Sequence, residues 1–238
     1  MSLDVKQVDI SATEGIAVVD DFFDGVFAPL RAWLPELAEL FGALDSKITG
    51  SQLASLVEGG SYAVLDTADR PLYGAGFCGS DLLVSGGNPL AWWQGPERQL
   101  LASSTFGPGQ AAIDLERLEW YRVPRQTGEH HVAGPFVDYL CSNEITLTST
   151  VPLITDRGFL GVACADVLLA TVEELLMPSI RGIEGAALVN SNGRVVVSTD
   201  PDHETGDRYF GIADDDHASA QLLIGRSTRY PFALVQPR

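Results

Sequence analysis

The chain reads as an α+β fold: an antiparallel sheet carrying long N-terminal helices, followed by a smaller, truncated α+β module. Three observations predict this. Residues 11–44 carry Ile16, Val19, Phe23, Val26, Phe27, Leu30 and Leu34 at three- and four-residue spacing, the stripe of an amphipathic helix. Residues 144–153 alternate, with Ile145, Leu147, Ser149 and Val151 on one face and Thr146, Thr148 and Thr150 on the other, the period of a half-buried strand. Residues 190–193, Asn-Ser-Asn-Gly, form a strong turn signal between two short apolar runs, 185–189 and 194–198.

Taken in order, the N-terminal helix opens at Ser11 with Glu14, which reads as a capping box. Pro29 and Pro35 are expected to kink or split it, because each removes a backbone donor. Leu37, Leu40, Phe41 and Leu44 continue the apolar face. A short helix over 52–57, closed by Gly59-Gly60, precedes a hairpin of 62–65 and 72–77. Residues 85–110 hold Trp92 and Trp93 and a candidate helix from 96 to 104. The alternating strand 144–153 meets a second run, 159–169, across Asp156-Arg157-Gly158, where glycine suits a tight turn. That second run is small and apolar, as expected of a central strand, except for Asp166. A buried carboxylate needs a partner. Backbone amides, Arg157, Arg181 or a ligand would each serve. A helix follows to about Ile180, and 221–224 and 230–236 read as the last two strands. The expected division is 1–60 helical, 61–172 the larger sheet domain, and 173–238 a helix with the smaller module.

A chain of 238 residues, 45% hydrophobic, can bury one large core or two smaller ones. Its net charge of −17, without a Lys/Arg cluster, argues against nucleic acid and anionic membranes as partners. Three cysteines, Cys78, Cys141 and Cys164, without paired spacing argue against a disulfide framework or a zinc ribbon. No run is long and apolar enough to span a bilayer, so no direct membrane insertion is expected. The N-terminus lacks signal-peptide features, so the chain as given reads as cytoplasmic. A soluble extracytoplasmic fragment of a membrane receptor is the alternative.

One stretch, with its flanks, carries a family likeness. Gly134-Pro135-Phe136-Val137-Asp138, the Thr-rich strand ending in Val151-Pro152, the turn, and Gly161-Val162-Ala163-Cys164-Ala165-Asp166 follow Trp120-Tyr121 and precede the 185–199 hairpin. In this order they resemble a Cache domain, the PAS-like small-molecule sensor of bacterial receptors, over residues 10–200. The resemblance implies a PAS-like sheet and ligand sensing without catalysis. It implies a ligand that is an amine, amino acid or small organic acid, with no cofactor. In the amino-acid sensors an Arg two residues before the Trp grips the ligand carboxylate, and two aspartates grip its ammonium. Here Trp120, Tyr121, Asp138 and Asp166 stand in the matching order, but Leu118 replaces the Arg and Arg117 lies beside it. That departure favours a cationic amine.

The expected ligand-binding residues are therefore Trp120, Tyr121, Asp138, Asp166, Thr148 and Trp93, with aromatic walls suited to an ammonium group. Each has a plain alternative: core tryptophans, a turn-capping Asp138, and the exposed threonines of an ordinary strand. His130 and His131 point to opposite strand faces, so no metal site is expected. The acid run Asp214-Asp215-Asp216 beside His217 reads as a solvated face. The other functional readings are a ligand-free regulatory or dimerisation module and a hydrolase-like enzyme using Cys141, His131 and Asp138. A homodimer through the N-terminal helices, and an output partner on another chain, complete the expectations.

Overall fold

A computed structural model describes residues 5–101, 114–137, 144–209 and 221–237. Asp138, Cys141 and the acid run 214–216 with His217 lie outside the described residues.

A single helix, α1 (Val5–Gly42), forms the spine. It starts well before Ser11, so Ser11 and Glu14 are interior and do not cap it. It also runs unbroken through Pro29 and Pro35. Each proline costs about 3 kcal/mol. Phe23, Phe27, Leu30, Leu37 and Phe41 are all fully buried along the stripe. At about 1.5–3 kcal/mol for each such side chain, burial outweighs the proline cost.

A two-residue strand, β1 (Ile48–Thr49), leads into α2 (Gly50–Thr67). Gly59-Gly60 does not end the helix, and 62–65 is helical rather than a strand. Thr49 and Gln52 close a reciprocal capping box, with Thr49 N–H donating to Gln52 Oε1 at 2.8 Å. Gly60 lets α2 press against α1: a Cβ there would lie 2.0 Å from Trp33 Nε1. Gly60 thus serves packing, at about 1 kcal/mol in helix propensity, whereas a Cβ on Gly59 would meet nothing within 4 Å.

The larger sheet has the order β5-β4-β2-β8-β7-β6 and is antiparallel throughout. Its strands are β2 (Gly74–Gly79), β4 (Leu90–Gln94), β5 (Gln99–Leu100), β6 (His131–Val137), β7 (Ile145–Thr155) and β8 (Gly158–Leu168). The short β3 (Val84–Gly86) pairs with β1 instead. Residues 96–101 contain β5 rather than a helix. The β7–β8 hairpin turns at Asp156-Arg157, with Gly158 at φ +104°. Arg157 Nη1 donates to the carbonyls of Phe41 (3.0 Å) and Leu44 (3.3 Å), capping the end of α1 rather than pairing with Asp166.

Helix α3 (Glu119–Thr127) covers the outer face of this sheet, and α4 (Leu169–Ile180) leads away from β8. The smaller sheet has the order β10-β9-β12-β11, from β9 (Ala187–Asn190), β10 (Val195–Ser198), β11 (Gln221–Arg226) and β12 (Phe232–Pro237). It packs on the N-terminal half of α1, where a Cβ on Gly225 would meet Ile16 at 3.0 Å. Both sheets therefore share one helix. Among the described residues, no helix is long and apolar enough to cross a membrane.

Candidate ligand-binding site

Strand alternation divides the larger sheet into two faces. Ala75, Phe77, Trp93, Leu147, Ala163, Ala165 and Val167 face α1 and α2 in the main core. Cys78, Leu90, Trp92, Ala133, Val162 and Cys164 face the other way, beneath Trp120 and Tyr121 of α3. Thr146, Thr148, Thr150 and Asp166 share this outer side, as their parity in β7 and β8 requires.

One row of paired residues crosses the outer face: Gln94 (β4), Gly74 (β2), Asp166 (β8), Thr148 (β7) and Ala133 (β6). Thr148 Oγ1 donates to Asp166 Oδ1 at 2.6 Å. Gln94 Nε2 reaches across Gly74 and donates to Asp166 Oδ2, also at 2.6 Å. The glycine makes this reach achievable, because a Cβ on Gly74 would lie 2.5 Å from Gln94 Cγ. Asp166 is 3% exposed, and both donors are buried. Hydrogen bonds of this length fix the orientation of the carboxyl group.

Aromatic side chains wall the row. Trp92 and Trp120 meet edge to face at 5.5 Å, Trp120 and Tyr121 at 6.1 Å, and Tyr121 and Phe159 at 5.4 Å. Burial pushes the Tyr121 hydroxyl well above its ordinary titration range, so it stays neutral. Trp92 Nε1 is buried and has no hydrogen-bond partner among the described residues. It lies 3.2 Å from where a Gly74 Cβ would sit, so it borders the Gln94–Asp166 bond. Thr146 Oγ1 is a second buried polar atom without a partner there.

Of the residues expected from sequence, Trp120, Tyr121, Thr148 and Asp166 come together on this face. Trp93 does not. It sits on the helix side, edge to face with Tyr62 at 5.8 Å, and its neighbour Trp92 takes the outer position. The threonines are buried rather than exposed, since β7 is covered on both faces. Gln94, Gly74 and Trp92 were missed. Three glycines in β2, Gly74, Gly76 and Gly79, were the available signal, because glycine inside a strand marks a close approach. Leu118 packs beside the aromatic wall, while Arg117 and Arg125 pair at the surface with Asp114 (3.1 Å) and Glu116. Cys164 and Cys78 are buried thiols whose titration is pushed up by desolvation.

The smaller sheet docks beside this site. Glu119, next to Trp120, accepts from Asn192 Nδ2 at 3.0 Å and sits 2.9 Å from His131 Nε2. Asn190 Nδ2 donates to the Gly134 carbonyl at 2.7 Å. His130 points elsewhere, packed between Phe27 and Tyr230. Among the described residues, no group of acids, histidines or cysteines could hold a metal ion.

No protein-family model and no curated protein matches the chain. Solved structures do. The ligand-binding domain of the Campylobacter jejuni chemoreceptor Tlp3, in complex with L-norvaline, superposes with a TM-score of 0.63 at 12% identity, covering 98% of this chain and 89% of that one. The extracellular domain of the putative histidine kinase mmHK1S-Z2 gives 0.63 at 14%, covering 98% and 96%. The ligand-binding domain of the Pseudomonas aeruginosa PAO1 amino acid chemoreceptor PctC, in complex with GABA, gives 0.58 at 15%, covering 97% of each. The architecture is thus that of receptor sensory domains. The chain has the Cache-type fold, with the larger sheet, the smaller sheet and the shared N-terminal helix all present.

Proposed function

We propose that this protein is a small-molecule-binding sensor domain whose ligand is a small amine or amino acid. The observation that carries the reading is Asp166: an acid held by two short hydrogen bonds in a buried row, under an aromatic wall. Such a site suits an ammonium group, through the carboxylate and through cation–π contact with Trp92, Trp120 and Tyr121. The indole N–H of Trp92 supplies a donor for an acceptor on the same ligand. Norvaline and GABA, the molecules named with two structural neighbours, both carry an ammonium group. Asp138, one residue past the end of β6, is the proposed second acid.

The neighbours are sensory domains of receptors, which supports sensing over hydrolysis. His131 is engaged by Glu119 at the junction of the two sheets, a structural placement for the base of the enzyme reading. Two neighbours are extracellular domains, which favours a sensor outside the membrane, and the cytoplasmic expectation gains no support. A homodimer through α1 would use the helix's outer polar face, because its apolar stripe is buried within the chain.

The output route we infer runs through α3. Trp120 walls the site and Glu119 holds Asn192 of the smaller sheet, so a ligand that shifts α3 also biases the position of that sheet. Signalling requires the ligand to bind the two arrangements unequally.

A thermal-shift screen with amines, amino acids and simple carboxylic acids tests the reading. Binding to the folded state raises the midpoint by mass action. Amines or amino acids should raise it, and simple carboxylic acids should not. Asp166→Asn should abolish the shift while the protein stays folded, since Asn still accepts from Thr148. Ligand binding by the Asn variant equal to that of the unchanged protein overturns the assignment.

A further inference from the structure

A cleft of about 890 Å³ lies between α3, the end of β6 and the β9–β10 turn. Arg117 faces it from the side of the larger sheet, and Arg194 and Arg208 from the smaller one. Arg194 and Arg208 are directly opposed in an antiparallel β-bridge. Opposed residues hold their Cβ atoms about 4.5–5.5 Å apart, where like charges destabilise one another. Five described arginines have carboxylate partners: Arg70, Arg98, Arg117, Arg125 and Arg229. Arg194 and Arg208 have none among the described residues, as is also true of Arg31, Arg122, Arg157, Arg181 and Arg226; what sets these two apart is that they stand opposite one another and line the cleft. Arg194 instead donates Nη1 to the Gly206 carbonyl at 2.8 Å. Glu119, the acid lining the cleft, is already occupied by His131 and Asn192. An anion placed between two opposed arginines would offset their repulsion.

We propose that this cleft is a second binding site, for a small molecule bearing two or more oxyacid groups. Arg194 and Arg208 grip one oxyacid, as guanidinium forks do with carboxylate or phosphate. Arg117 meets another from the α3 side, exchanging its Asp114 contact for the ligand. The ligand spans the two sheets next to the Glu119–Asn192 contact and so fixes their relative position. The site shares Trp120 as a wall with the Asp166 row but draws on opposite charge.

Titration calorimetry with citrate, succinate and inorganic phosphate, at fixed chloride, tests it. At least one should bind, with affinity falling as salt rises. Preference for citrate or succinate assigns carboxylates, and preference for phosphate assigns phosphate groups. The double variant Arg194→Ala/Arg208→Ala should weaken binding by roughly tenfold or more, as loss of a charge-assisted pair predicts. Both arginines are exposed, so the double variant should remain folded, and its binding is compared with its own ligand-free midpoint as the reference. Asp166→Asn should leave anion binding intact, which separates this site from the amine site. Absence of binding by all three anions, undiminished binding by the double variant, or loss of anion binding in Asp166→Asn would each overturn the proposal.

Discussion

The two sheets meet α1 in the same way and finish their other faces differently. Leu188, Phe232 and Leu234 of the smaller sheet join the same core as Phe77, Leu147 and Val167 of the larger. On the opposite side the smaller sheet is aliphatic, with Ala187, Val189, Val195, Ala233 and Val235 packed under Tyr209. The larger sheet places Gln94, Asp166 and Thr148 at the corresponding depth. A sheet that only has to fold closes its second face with apolar side chains, because each buried polar group must be matched. The buried acid row carries a desolvation cost that the smaller sheet avoids, and it is the feature on which the proposed ligand site rests.

The largest effect is expected from giving the smaller sheet the acid of the larger one. Val189→Asp places a carboxylate at a fully buried position that has no donor row. An uncompensated buried charge should cost about 3–5 kcal/mol, read as a lower urea midpoint. A loss under about 1 kcal/mol would show that this face accepts charge as readily as the other, and the contrast would fail.

Gly74→Val probes the acid row of the larger sheet. Its Cβ would sit 2.5 Å from Gln94 Cγ and 3.0 Å from the Trp93 carbonyl. Gln94 should be pushed off Asp166, with overpacking costing about 1–3 kcal/mol and ligand-induced stabilisation lost. Gly86→Ala is the control, since a Cβ there meets nothing within 4 Å. Retained ligand binding in Gly74→Val would remove Gln94 from the site.

The sequence revealed what depends on local pattern. The β7–β8 hairpin, the parity of the threonines and the α1 stripe all follow from periods of two and 3.6 residues. The face occupied by each tryptophan did not. Trp92 and Trp93 are adjacent, so one must point outward, but the choice depends on β4 pairing with β2 and β2 with β8. Those are long-range registers that no local pattern carries. Gly59-Gly60 reads as a helix end for a related reason: the close contact of Gly60 is with Trp33, on another helix. Gln94 was invisible because its role exists only across the Gly74 gap. The likeness over 10–200 carried Asp166 and the Trp-Tyr pair, because it encodes their order along the chain.

Thr146→Val separates cost from function on the polar face. Thr146 is 1% exposed, and its hydroxyl has no partner among the described residues. Removing an unsatisfied buried hydroxyl at nearly constant shape should stabilise the protein by about 1 kcal/mol. If that hydroxyl serves the ligand, the ligand-induced thermal shift should shrink at the same time. A lower midpoint without ligand would mean that Thr146 is satisfied within the protein and belongs to the fold.

The smallest expected effect lies at the seam between the sheets. His130 packs 4.8 Å from Phe27 and 5.8 Å from Tyr230, where α1 passes from one sheet to the other. Desolvation lowers its titration below the ordinary value, and the Arg31 charge adds to this. Backbone hydrogen bonding at Arg229 and the Glu129 charge oppose the shift, while His131 reinforces it. A depressed histidine prefers the neutral form when folded. Its contribution is intact above the unfolded value of about 6.5 and is lost as pH falls through the lower folded value. His130→Gln should therefore reduce the loss of stability between about pH 7.5 and about pH 5, read as the difference in urea midpoints. An unchanged pH dependence would mean that the seam is as well solvated as an ordinary surface. The two sheets would then be coupled through the Glu119–Asn192 contact and the apolar stripe of α1, with the His130 packing adding nothing.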